Sequence, residues 1–185
     1  LLSQSRTLFL DNTMNPLPLG QWDSLGLGHQ SYKLAFTLGV TAAHYAGKIN
    51  DAEFTAAGYV HFAGDANWWV PSGTAVYSAN PRDTFYLPIG AKNPFGLETI
   101  ATFDQHILLT EKVEVKQAAW NVVTAVNDYR VLGPVLMTDP NGNRSAVEHD
   151  ELGMVVKTAV MGKAGSPDGD TLADPTTRLE YELFN

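Results

Sequence analysis

Apolar positions along this chain recur mostly at a spacing of two, the period of a strand with one face turned inward. Ser5–Leu10 alternates in this way, and His29–Thr37 does so again, with Tyr32, Leu34 and Phe36 sharing a face. From Tyr59 onward the pattern is strand, turn, strand. Tyr59–Phe62, Trp68–Val70, Thr74–Tyr77, Phe85–Ile89, Leu97–Phe103, Ile107–Val115, Trp120–Val126, Tyr129–Met137, Ser145–His149 and Met154–Val160 all read as strands. Pro71-Ser-Gly73 and Asn80-Pro-Arg-Asp83 read as turns between them, and Pro88 suggests an edge or a strand end. The spacing of roughly ten residues per strand is that of hairpins and leaves no room for crossover helices.

Two short helices interrupt this pattern. Thr37 or Thr41 is placed to cap one that runs through Ala46 and ends at Gly47. Asn50 with Glu53 three residues on has capping-box spacing for a second, ending near Gly58. After Gly162 the chain reads as an acidic linker containing Gly165, Pro167, Gly169 and Pro175, followed by a terminal strand over Arg178–Phe184.

A weak internal repeat spans Asn93–Asp104, Gln117–Asp128 and Asp139–Asp150. In each, a turn-like element (Gly96, Trp120, Gly142) stands eight residues before an Asp, and an apolar strand follows. Asn141-Gly142 predicts a two-residue type I′ hairpin turn, because that turn needs two positive φ angles. Asp150–Gly153 is the return turn: Asp bonds its own backbone and Gly accepts a left-handed conformation. One hairpin has no means of burying its own apolar face, so neighbouring hairpins must stack.

Asp139-Pro-Asn-Gly-Asn-Arg-Ser145 followed by Asp150-Glu-Leu-Gly-Met-Val-Val156 resembles the tyrosine–aspartate (YD) repeat of Rhs-family proteins, with His149 where that family usually has Tyr. Asn127-Asp-Tyr-Arg-Val-Leu132, Gly153–Lys163, Leu17-Pro-Leu-Gly20, Trp68–Gly73 and Phe85-Tyr-Leu-Pro88 are similar to the YD-containing core of insecticidal toxin-complex B components and related plasmid virulence proteins. The resemblance covers roughly residues 5–163. It implies a mainly β fold of antiparallel hairpin strips from an Rhs/YD-repeat shell, with two short helices near residues 39–57. It also implies two parts, a shell segment over 1–163 and a linker with a terminal strand over 164–185. The implied role is that of a non-catalytic structural segment of a secreted or surface bacterial toxin, whose strips enclose a toxic polypeptide. Its partners would be the other shell strips, the toxic C-terminal region and further toxin-complex components.

Composition narrows the alternatives. The 185 residues carry 12 basic and 20 acidic groups, a net charge of −8. That balance opposes nucleic-acid binding and a polybasic membrane anchor. With no cysteine, thiolate metal sites and cysteine nucleophiles are excluded. The chain begins at Leu1 with no basic-then-apolar leader and no run near the ~18 apolar residues of a membrane span, so it reads as an internal piece of a longer polypeptide without membrane insertion. At 44% hydrophobic it is expected to bury a core of its own. The 17% charged content, below the usual quarter or so, fits a surface covered by something else.

Candidate chemistry is sparse. Asp139, Asn141, Asn143 and Asp150 occupy positions 1, 3, 5 and 12 of a calcium-loop spacing, but Arg144 stands where the loop needs glycine. His29, His44, His61, His106 and His149 share no metal spacing, and no serine sits in a Gly-x-Ser-x-Gly elbow. Trp68 and Trp69 suggest a sugar platform, yet adjacent strand residues face opposite ways, so at most one would meet a ligand. No catalytic, cofactor-binding or metal residue is therefore assigned. A carbohydrate- or receptor-binding β module is the alternative reading, and an unrecognised hydrolase the third. The strands near Arg6–Leu10 and Arg178–Phe184 are expected to lack partners and to drive edge-to-edge self-association.

Overall fold

The computed structural model describes residues 3–182, and at positions 119 and 120 the backbone alone. The chain forms two compact units, Leu1–Glu98 and Thr99–Asn185. Both are built of antiparallel strands that pair with their neighbours in chain order.

The first unit contains β1 (Ser5–Leu10), β2 (Leu27–Phe36), β3 (Trp68–Val76) and β4 (Gly90–Lys92). Two helices lie between β2 and β3: α1 (Leu38–His44) and α2 (Asp51–Ala56). Their starts follow local chemistry. The Thr37 hydroxyl accepts from Val40 N, and Asn50 and Glu53 complete a reciprocal capping box. The helices carry an aromatic cluster to one side of β3. Phe54 stacks on Trp68 at 5.0 Å, His61 lies 3.7 Å from the same ring, and Phe36, Tyr45 and Tyr59 close around Phe54.

On the opposite side Trp69 is fully buried. The Arg6 guanidinium lies 4.0 Å over its ring and 4.8 Å from that of Phe62. Asp65 receives both the Arg6 cation, at 2.6 Å, and the Trp69 indole N–H, at 3.1 Å. The expected alternation of the two tryptophans is present, but each face has its own cover. Neither ring is free to stack on a sugar.

Several expectations are corrected here. Pro71–Gly73 is not a turn: it lies inside β3, where register shifts against β2 absorb the proline, and Pro71 faces Tyr32. Tyr59–Phe62 forms only a single bridge, Val60 to Trp69. Phe85–Ile89 is not a strand, because a 3-10 turn at Pro81–Thr84 delivers Phe85 and Tyr86 into left-handed conformations. β1 does not lack a partner. It pairs with β2, and the 14–17 loop covers its outer side from Phe9 onward.

The second unit contains β5 (Glu98–Phe103, its first residue just before the boundary), β6 (Thr110–Val115), β7 (Ala118–Asp128), β8 (Gly133–Thr138), β9 (Asn143–His149), β10 (Val155–Lys163) and β11 (Thr177–Arg178). The expected strands over 107–115 and 129–137 are shorter at their starts, since Ile107 and Leu132 take positive φ in turns. Trp120 lies within β7 and marks no turn. The terminal strand is two residues long and pairs with β10, so it does not lie unpaired; Phe184 is outside the described residues.

Register sorts the second unit's side chains into two unlike faces. Ala101, Val113 and Val123 align across β5–β7, and Ala125, Met137, Ser145 and Val160 align across β7–β10. These aligned positions carry no charge, and Glu111, two residues before Val113, and Lys163, opposite Asn143, stand at the margins of the face. The other face holds Lys112, Glu114, Arg144, Glu148 and Lys157, with ion pairs Lys112–Glu114 and Lys157–Glu148 at 3.2 and 2.9 Å. Within the second unit no strand packs on this face among the described residues: substantial contacts between its elements run only between hydrogen-bonded neighbours. Val113, Met137 and Val160 remain exposed, and Ala159 is the one fully buried hydrophobic residue described in this unit.

The expected core is present in the first unit, where Leu10, Leu27, Phe54, Trp68 and Trp69 are buried, and is thin among the described residues of the second. The accessible surface is 12205 Å² for 20.1 kDa. Two separate compact globules of half that mass would expose about 10,500 Å² together.

Candidate functional site

The recurrent element is a turn built around one side-chain oxygen. Asp139 Oδ1 accepts from Asn141 N and Asn143 N, both at 2.8 Å. Asp150 Oδ1 accepts from Leu152 N and Met154 N, both at 2.9 Å. Asn93 does the same for Phe95 and Leu97 at 3.0 Å, and Asp11 for Thr13 and Asn15 at 2.8 Å. In all four, the residue three positions on is left-handed: Gly142, Gly153, Gly96 and Met14. These are type I turns closed by a bulge residue at positive φ.

Asn141-Gly142 is thus not a type I′ turn. Gly142 has φ +85°, but Asn141 is not left-handed. The physical cause is Asp139, whose carboxylate binds N–H groups two and four residues on and holds Pro140-Asn141 in the right-handed arms of a type I turn. Burial draws the Asp139 carboxyl upward, and the hydrogen bonds from Asn143, Asn141 and Gly142 together overcome it, so its pKa lies below the ordinary value. Gly142→Val should still cost about 1–3 kcal/mol through its φ. Space is no obstacle there, since the nearest atom to an added Cβ is 3.7 Å away. Thermal unfolding equal to the parent's would contradict the turn assignment.

Three turns share one edge of the second unit, because β5, β7 and β9 all end there: 104–109, 128–132 and 150–154. Side chains link them in sequence. Tyr129 OH donates to Asp104 Oδ2, the His106 ring meets Tyr129 edge-on at 5.8 Å, and Arg130 Nη1 donates to the Asp150 carbonyl. Val131 Cγ1 lies 3.3 Å from where a Cβ on Gly153 would stand. The three aspartates of the sequence repeat thus become consecutive rungs of one ladder.

Asp104 is the most demanding member. It is 4% exposed, and it receives Leu108 N and Leu109 N besides the tyrosine hydroxyl. The Tyr129 hydrogen bond, opposed by burial and aided by the N–H groups of Leu108, Leu109 and His106, lowers its pKa from 3.8 to about 2. The same bond, with burial, raises the Tyr129 phenol above its ordinary value.

A depressed carboxylate pKa stabilises the fold above its unfolded value and loses that contribution as pH falls toward the folded one. The parent should therefore be more stable than Tyr129→Phe at neutral pH, and the gap in midpoint temperature should close between about pH 4 and pH 2. Melting curves across that range test this, and a gap independent of pH would exclude the Asp104–Tyr129 bond as its source.

The other sequence candidates do not converge. Asp139 and Asp150 sit at opposite ends of β9, so the calcium spacing assembles no loop. His29 lies in β2, His44 in the last turn of α1, His61 against Trp68, His106 against Tyr129 and His149 at the end of β9. His149 Nδ1 is buried with no hydrogen-bond partner among the described residues. Sequence reasoning missed the Tyr129–Asp104 bond and the Arg6–Trp69–Asp65 group. A local signal did exist for the turns: Asp with Asn four residues later occurs at Asp11/Asn15 and at Asp139/Asn143, and in both the Asn carboxamide bonds back to the Asp. Among the described residues no group of His, Asp and Glu is arranged to hold a metal, and no helix is long and apolar enough to cross a membrane.

No family model and no curated protein matches the chain. Solved structures do. The crystal structure of TcdB2-TccC3-TEV aligns with 98% of this chain at 21% identity and a TM-score of 0.73. The structure of a Photorhabdus luminescens Tc holotoxin pore aligns with 87% at 22% identity and 0.67, and TcdB2-TccC3 without its hypervariable C-terminal region with 85% at 21% and 0.67. The chain spans only 8–9% of the length of those chains. At such identity the likeness is one of fold, and the fold is the hairpin architecture that the Rhs/YD resemblance implies.

Proposed function

We propose that this chain is a non-catalytic wall segment of a bacterial YD-repeat toxin, whose hairpins join further strips to enclose a toxic polypeptide. The observation that carries this reading is the row of uncharged, partly exposed positions Ala125, Met137, Ser145 and Val160 across one face of the second unit. A sheet in water hides an apolar face against another layer or a partner. Here the described residues of the second unit supply no second layer, and the low charge content agrees with a surface meant to be covered. The likeness to toxin-complex chains, about a tenth of whose length this segment matches, supports further strips as the cover. It extends to a structure lacking the hypervariable C-terminal region, so the matched part lies outside that region. In this reading residues 1–163 form the wall and 164–185 the acidic connector, whose segment from Asp168 to Arg178 folds back along β10. The partners are the remaining strips, the enclosed polypeptide and other toxin-complex components, in a secreted or surface assembly.

The test is to place a charge on the free face within the full parent polypeptide. Val160→Lys should change the stability of the isolated chain by no more than about 0.5 kcal/mol, as exposed substitutions do. In the parent it should expose the enclosed polypeptide to added protease. Unchanged protection would sink the proposal. A single His or Asp substitution that abolished a measurable turnover of esters, glycosides, peptides or phosphodiesters would sink its non-catalytic half.

A further inference from the structure

Asn141-Gly142 is the single Asn-Gly step in the chain, and its surroundings single it out further. Other turn asparagines use their carboxamides: Asn12 with Ser24 and Leu25, Asn15 with Asp11, Asn50 with Glu53, Asn93 with Phe95 and Leu97, Asn143 with Asp139. Asn80 is followed by Pro81, which has no N–H to lose. Asn141 is exposed at the tip of its turn, with its backbone N–H held by Asp139 and its carboxamide in no hydrogen bond described. Gly142 has no side chain to shield its own nitrogen.

We propose that Asn141 is a site of spontaneous covalent modification, and that the Asp139 turn sets its rate. The Gly142 backbone nitrogen gives up its proton to water and attacks Cγ of Asn141. A C–N bond forms, the departing amide nitrogen takes a proton back from water as the Cγ–amide bond breaks, and ammonia leaves. The resulting five-membered imide takes up one water, opening at either carbonyl to leave aspartate or isoaspartate at 141. Neither step needs an oxidant or a metal. The restraint is geometric: Gly142 N donates to the Asp139 carbonyl at 2.9 Å, inside a turn whose Asp139 carboxylate also holds Asn141 and Asn143. The nitrogen becomes available when that turn opens locally, so the reaction reports the opening equilibrium of the β8–β9 hairpin. The isoaspartate product inserts an extra backbone atom between the Asp139 contacts and breaks the register of that hairpin.

The full 185-residue chain, aged in mildly alkaline buffer, is digested and its peptides are weighed, with isoaspartate measured separately. The gain of one deamidation should concentrate in the peptide containing Asn141, and Gly142→Ala should slow it severalfold. Asp139→Ala should speed it severalfold. Asp139→Asn, which keeps an accepting oxygen, should stay near the parent rate. Circular dichroism of each variant separates turn opening from global unfolding; should Asp139→Ala unfold, the parent in denaturant replaces it as the opened state and should react faster. Modification centred on another asparagine, or a rate in the opened state equal to that of the folded parent, would overturn the proposal.

Discussion

Replacing Trp69 by alanine is expected to cost the first unit about 3–5 kcal/mol, the range for truncating a buried tryptophan. Its ring is wholly inaccessible and serves three partners at once. Arg6 lies over its face, Phe62 meets it edge-on at 5.6 Å, and its indole N–H goes to Asp65. Truncation leaves a void and removes the surface that lets a cation sit away from water. Asp65, whose carboxyl is held below its ordinary pKa chiefly by Asn67 N, keeps its salt bridge but loses a donor. Denaturant unfolding of the first unit, followed by far-ultraviolet circular dichroism, measures the loss. Trp22→Ala is the control: that ring is 71% exposed, and its removal should fall within about 0.5 kcal/mol. Equal losses for the two variants would mean that Trp69 is not the keystone of this unit.

Gly169→Ala should be nearly as damaging in the second unit, through crowding as well as strain. A Cβ there would lie 2.6 Å from Gly162 N and 2.8 Å from the Val160 carbonyl oxygen, at a φ of +80°. Both obstacles are backbone, so neither moves aside alone. Left-handed strain and overpacking each cost about 1–3 kcal/mol, for an expected total of roughly 2–6 kcal/mol. The connector can also come away from β10, and then the loss stops at the free energy of its docking. That docking rests on Gly162 N to Asp168 O, Asp170 N to Val160 O and Val160 N to the Thr176 hydroxyl, at 2.8–2.9 Å. Faster amide exchange at Gly162 and Asp170, with β9 still protected, is the expected signature. Gly165→Ala separates the two causes: its φ is +79° with nothing within 4 Å of the added atom, so strain alone, about 1 kcal/mol, should appear. Equal effects at 165 and 169 would remove close approach from the explanation.

Features controlled by a few neighbouring residues were open to reading. Thr37 and Asn50 start helices because their side chains satisfy N–H groups three residues ahead. The hairpin at 139–143 could be located from Asp-Pro-Asn-Gly, and the antiparallel strips from alternation and spacing. Its turn type could not, since Asn-Gly suits a type I′ turn until the Asp139 carboxylate takes both N–H groups and selects type I. Pro71 reads as a break, and only register against β2 shows that a bulge accommodates it.

Beyond that reach, sequence by itself determined that hairpins with an apolar face must stack and that their turns recur with aspartates. The tertiary structure decided that Tyr129 serves Asp104, that both tryptophans are buried under different covers, and that the apolar face stays open. Turn and cap hydrogen bonds close within about five residues, and so they are written in local order. Contacts across twenty or more residues depend on how strands stagger and turns stack. Whether an apolar face is covered depends on what lies above it, and among the described residues of the second unit no element does.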